Sequence, residues 1–180
     1  MLPAMSLSKP SESGLSPAMS AAVASCAFTV PLALSVSTSP TPNHPRIMAW
    51  YLSLREPAFK PPDWAIPIAW SGIEAALSVA AYRLLRSGPS PERSKALGLL
   101  GWNIFMIGGW NRFFFKRRSL PISTLAAASL VGTSVAFVQA AKPVDRAASK
   151  AGLPLVGWVA FATVLTATIW GLNPKKGKRG

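Results

Sequence analysis

A chain of 180 residues with 50% hydrophobic residues, 14% charged residues and a mean hydropathy of +0.32 is too apolar for an ordinary water-soluble domain. Its formal charge of +13 does not mark a nucleic-acid binder, because the basic residues lie between and beyond apolar runs, where they suit loops near lipid headgroups. Cys26 is the single cysteine and His44 the single histidine, so no internal disulfide and no metal cluster is expected, and neither a phosphate loop nor a nucleophile-base set points to ordinary enzymatic turnover or to a cofactor.

Residues 1–16 are rich in Ser and Pro and are expected to be disordered. The first apolar run, residues 18–36, is about 19 residues long and just sufficient to cross a bilayer core at about 1.5 Å per residue. A rival reading is a cleaved targeting segment, since Ala33 to Ser37 has the small residues of a cleavage site. A Ser-Thr-Pro linker, Ser37 to Pro45, leads to the stretch Trp50 to Trp70, which holds three tryptophans, one tyrosine and four prolines. Residues 46–64 read as a rigid aromatic lid. Trp50 and Tyr51 have the amphipathic rings that settle at a membrane boundary, and Pro57, Pro61 and Pro62 remove backbone donors and exclude helix there. Asp63 is placed to cap the next helix.

Four further spans are expected, over residues 65–85, 96–115, 120–141 and 153–172. The second ends at Arg83 and Arg86, which can snorkel to the interface, and the polar loop Ser87 to Lys95 separates it from the third. The third stops at Lys116, Arg117 and Arg118. In the fourth, Ala128, Gly132, Ala136 and Ala140 recur every fourth residue and form a small-residue face open to close helix approach. A basic tail, residues 175–180, comes after the fifth. The fold class is therefore an all-α integral membrane protein, a multi-pass bundle of five transmembrane helices. With five spans, the lid side and C-terminus carry eleven basic residues against eight on the other side, which places the lid and C-terminus in the cytosol.

Several intramembrane residues invite a role. Asn103 and Trp110 are seven residues apart and share a helix face, with Phe114 one turn beyond. Asn103 needs a hydrogen-bond partner, either a ligand or a neighbouring helix. Trp158 and Ala162 set a large ring beside a small residue, which makes either a slot for a planar ligand or ordinary aromatic packing. Glu74 stands ten residues into its helix, roughly 15 Å deep, where an ionisable group is costly. It is either protonated and bonded to a neighbour or paired with a polar or cationic ligand.

The lid motif WY-x-x-L-x-x-P-x-F-x-PP-x-W, the segment Trp110-x-x-x-Phe114-Phe115 and the run from Pro154 through Trp158, Phe161, Ala162, Thr163 and Leu165 to Trp170-x-Leu172-Asn173 resemble the translocator protein / tryptophan-rich sensory protein family. The resemblance covers about residues 18–174. It implies a five-helix bundle, often a homodimer, that binds tetrapyrroles, sterols or synthetic aromatic ligands in a pocket closed by the loop after the first helix. On that basis the ligand-binding residues are Trp50, Trp64, Trp70, Asn103, Trp110, Phe114, Trp158 and Ala162, with Arg55 or Lys60 supplying charge at the rim. Glu74 replaces a usual tyrosine, Ile107 an asparagine, and Thr166-Ala167 an Asn-Tyr pair. The last change removes the tyrosine of the sterol motif, so a porphyrin-like ligand is expected before a sterol-like one. A generic sterol-type pattern does occur at Val79-x-x-Tyr82-x-x-x-Arg86. The expected protein is receptor- or transporter-like, embedded in the lipid bilayer of an organelle or endomembrane if eukaryotic, and not an enzyme, with light-dependent porphyrin degradation as the catalytic exception. The alternative is a ligand-independent membrane assembly protein that retains the fold.

Overall fold

The computed structural model describes residues 14–36 and 38–174, so most of the expected N-terminal disordered segment and the whole basic tail lie outside the described residues. Within them the regular elements are helices: α1 (Pro17–Val36), α2 (Pro45–Leu52), α3 (Ala65–Arg86), α4 (Pro91–Asn111), α5 (Leu120–Ala141), α6 (Arg146–Ala151) and α7 (Leu153–Leu172). A π-helical turn, Arg112–Lys116, continues α4.

Among the described residues four segments are long and apolar enough to cross a membrane: Pro17–Ser35, Ala65–Arg86, Leu120–Ala141 and Arg146–Leu172. Only 22% to 28% of each apolar window is buried inside the protein. Exposed Val23, Ile68, Leu125 and Val164 leave outward faces that only hydrocarbon would solvate well. The expectation of five spans is thus supported for four. α4 falls short because Glu92, Arg93 and Lys95 crowd its start, while four glycines and two asparagines dilute the remainder of the helix.

The boundaries have local causes. Pro91 fits the first turn of α4, and the Ser90 side chain accepts a hydrogen bond from the Arg93 amide at 3.0 Å, so helix replaces the second half of the expected loop. Arg93 also donates to the carbonyls of Leu84 and Leu85, at 2.8 and 3.2 Å, satisfying acceptors at the end of α3. Asp145 caps α6 by accepting from the Ala148 amide at 2.7 Å. Asp63 does not cap α3; Trp64 holds that position without a side-chain bond, because the Asp63 carboxylate is engaged within the lid.

The long helices pack in the order α3, α1, α4, α5, α7, and α6 wedges against α3 and α5. Leu77 and Leu84 of α3, Leu100 of α4, Phe137 of α5 and Leu155 of α7 form the buried centre. α1 approaches α4 at Gly108, where an added Cβ would stand 2.7 Å from a Leu34 methyl and 3.2 Å from the Pro31 Cα. α4 is joined to α5 by Asn103, whose amide donates to the Leu99 and Thr133 carbonyls and accepts from the Thr133 hydroxyl at 2.7 Å. α3 and α7 make few contacts. The series is left with a seam.

Candidate ligand-binding site

The lid begins with α2 and then turns back across the bundle. Pro45 pre-sets the backbone for the first turn of α2, and Tyr51 faces inward. The Tyr51 hydroxyl donates to Asp63 Oδ1 at 2.7 Å, and Lys60 Nζ donates to the same oxygen at 2.6 Å and lies 2.8 Å from Glu56 Oε1. Burial, reinforced by the Asp63 acceptor and opposed by Lys60, pushes the Tyr51 hydroxyl up to about 12. The bond from Lys60 holds the Asp63 carboxyl below its ordinary value. Burial acts to lower the Lys60 ammonium, but its bonds to Asp63, Glu56 and Tyr51 outweigh it and raise the group. Lys60 is therefore engaged inside the lid and is not the free rim charge expected of it; Arg55 is exposed.

Two further ties hold the lid down. Asn173, just past α7, accepts from the Arg55 amide and donates to the Arg55 carbonyl, both at 2.9 Å. Arg118 donates to the Arg46 carbonyl at 3.1 Å and sets its guanidinium 5.8 Å from the Trp50 ring centre, from a backbone with φ of 50°. Neither tie was anticipated, although Asn173 before Pro174 carries an ordinary helix-stop signal.

The expected site residues fall into separate places. Trp50, Trp110 and Phe114 meet beneath α2: Trp110 stacks on Phe114 at 4.8 Å with 18° between planes, and Trp50 meets Phe114 edge-on at 5.6 Å. Tyr51 and Phe115 complete this group, and the Trp110 indole donates to the Ser123 carbonyl at 2.9 Å. It is already filled by its own rings. Trp70 and Trp158 meet instead across the α3/α7 seam, 6.1 Å apart and nearly perpendicular. Phe161 stands 5.6 Å from Trp158, and the lid's Phe59 reaches Phe161 at 6.3 Å. Ala162, half-buried, comes one turn after Trp158. Trp64 is 69% exposed and joins neither group among the described residues.

Among the described residues no fully buried side-chain nitrogen or oxygen lacks a partner. Asn103 is completely buried and makes three hydrogen bonds, to the Leu99 carbonyl of its own helix and to Thr133 of α5, a geometry that joins the two helices. Thr166, in place of the polar residue the resemblance implies, bonds back to the Ala162 carbonyl at 2.8 Å. Glu74 is 8% exposed, and no hydrogen bond or ion pair reaches its carboxyl among the described residues. It lies one turn beyond Trp70, on the same side of α3 as buried Leu77 and Ala81.

Residues 27–171 match the sequence profile of the TspO/MBR family. The chain belongs to the TspO/MBR family. Protein CrtK of Rhodobacter capsulatus is 34% identical over 133 residues, covering 70% of this chain and 79% of its own. Tryptophan-rich protein TspO of Chlorobaculum tepidum is 29% identical over 163 residues, with 87% of this chain and 100% of that protein covered. Translocator protein of Sus scrofa is 27% identical over 133 residues, 73% of this chain and 78% of its own. TspO/MBR membership agrees with the lid and tryptophan pattern, and with the apolar helices it makes the chain a multi-pass membrane protein.

Proposed function

We propose that this TspO/MBR protein binds a flat, largely apolar ligand, a tetrapyrrole in preference to a sterol, at the α3/α7 seam beneath the lid. The observation that carries this reading is the meeting of Trp70 and Trp158 across two helices that otherwise scarcely touch, with Phe161 beside them and Phe59 reaching in from the lid. A planar ring inserted there would stack on the indoles, with Ala162 leaving room for its edge. Trp110, Phe114 and Trp50 then act by seating α2, and exposed Arg55 is the lid cation available to a peripheral carboxylate. α4 completes a five-span bundle, with the lid and C-terminus on the cytosolic side.

Titration of the purified protein with protoporphyrin, followed through its seven tryptophans, tests this. Saturable quenching is expected, with loss of saturation in a Trp70→Ala, Trp158→Ala variant and its retention in Trp110→Ala. Equal quenching in wild type and the double variant would overturn the site. A second reading, an assembly role through a homodimer, draws on α5, where Ala128 and Gly132 are exposed. It predicts a dimer that a bulky Gly132→Leu change dissociates. Conversion of porphyrin under illumination would bring back the enzymatic alternative.

A further inference from the structure

A second candidate site lies on the outward face of α1 and α3, apart from the aromatic seam. An apolar groove of about 530 Å³ runs between the helices, lined among others by Ala24 and Phe28 of α1 and by Ala75, Ser78, Val79 and Tyr82 of α3. Its serine and threonine hydroxyls are turned back on their own helices: Ser25 bonds to the Ala22 carbonyl at 2.7 Å, Thr29 to that of Ser25 at 3.2 Å and Ser78 to that of Glu74 at 2.9 Å. What remains is hydrocarbon walls open along one side, a shape suited to a chain that is itself part of the bilayer.

The groove does not end in hydrocarbon. Tyr82 belongs both to it and to an adjoining polar recess of about 300 Å³ formed with Arg83, Arg86, Ser87 and Asp145. Asp145 accepts from Arg83 Nε at 2.9 Å, and Arg86 donates one bond to the Leu15 carbonyl at 2.8 Å. Among the described residues one carboxylate thus offsets one of two guanidinium charges, and each guanidinium keeps most of its five N–H donors free for another acceptor. The Val79-x-x-Tyr82-x-x-x-Arg86 spacing puts these residues on one helix stripe, running from groove to recess.

We propose that this continuous surface is a binding site for an anionic glycerophospholipid, one acyl chain lying in the α1/α3 groove and the phosphate accepting hydrogen bonds from Arg83, Arg86 and the Tyr82 hydroxyl. A guanidinium pair beside a hydrocarbon channel matches a phosphodiester on an acyl chain, since planar N–H pairs engage phosphate oxygens two at a time. Phosphatidylcholine also carries a phosphodiester but sets its own cationic headgroup against a recess with two guanidinium groups and one carboxylate, and free phosphate gains only the recess.

The full chain in detergent is incubated with phosphatidylglycerol, phosphatidylcholine or inorganic phosphate, and bound molecules are counted by native mass spectrometry. Retention of phosphatidylglycerol over phosphatidylcholine by about tenfold is expected, falling to near parity in Arg83→Gln, Arg86→Gln. Ala75→Phe, a change at an exposed groove wall that leaves both arginines in place, is expected to weaken both lipids. Equal retention of the two lipids by wild type, or an unchanged preference in the arginine variant, overturns the proposal. Displacement of the lipid by millimolar inorganic phosphate would overturn it in favour of a free-anion site. If Ala75→Phe breaks a dimer and leaves lipid retention unchanged, the groove belongs to a second copy of the chain.

Discussion

Replacing Tyr51 by phenylalanine keeps its ring against Phe115 and removes its hydroxyl from the network with Asp63 and Lys60. The expected loss is about 1 kcal/mol of lid docking, read as faster amide exchange across residues 53–64. The same network fixes a pH window. Asp63, held below its ordinary value, contributes stability that is present at neutral pH and fades as pH falls below about 4. Tyr51, held above its ordinary value, contributes stability present below about pH 10 and lost as pH rises towards 12. Amide protection of the lid is expected to be flat between those limits and to fall at both ends. Glu74 has the opposite character, since it is buried with no protein partner among the described residues. Glu74→Leu is expected to stabilise the detergent-solubilised protein by about 2 kcal/mol, visible as a higher Tm. A fall in Tm would show that the carboxyl has a structural partner.

At the scale of elements, legibility tracks length. α5 and α7 occupy the residues expected of them because each is an unbroken apolar run with proline in its first turn. α2, with eight residues, and α6, with six, were not anticipated, since helices so short depend on docking and show little period of their own. Asp63 misleads for a related reason: its position before an apolar run suits a cap, but the claim of Tyr51, twelve residues back, is visible only after folding. The aromatic residues were legible as a set but not as two groups. Phe59 and Phe161 escaped the expected site because nothing in their spacing reveals that lid and α7 meet. The α4/α5 joint can be tested as a cycle: Asn103→Ala is expected to cost about 1 kcal/mol, and its coupling to Thr133→Val to lie near 0.6 to 1.7 kcal/mol, by equilibrium unfolding.

For the whole molecule, family membership and composition converge on a membrane bundle, while the arrangement sets where the proposed ligand would fit. Helices α1, α4 and α5 are joined by close packing, as at Gly108, and by saturated hydrogen bonds. The two ends of the series, α3 and α7, are left to aromatic contact. Asn173→Ala, which removes the lid's hydrogen bonds to the end of α7 without touching an aromatic ring, should raise exchange in residues 53–64 and, if the seam binds porphyrin as proposed, increase the rate of its dissociation. An unchanged dissociation rate would separate lid position from ligand retention.

The aromatic seam bears on the route a ligand takes. Rotation of Trp70 and Trp158 about their side-chain torsions breaks no backbone hydrogen bond, whereas lifting the lid breaks both Asn173 contacts with Arg55. For a ligand bound at the seam as proposed, the easier passage would be sideways, from the hydrocarbon. Capture would scale with the amount of ligand dissolved in the membrane, so that two porphyrins of equal affinity but unequal lipid partitioning would load at different speeds from the same aqueous concentration.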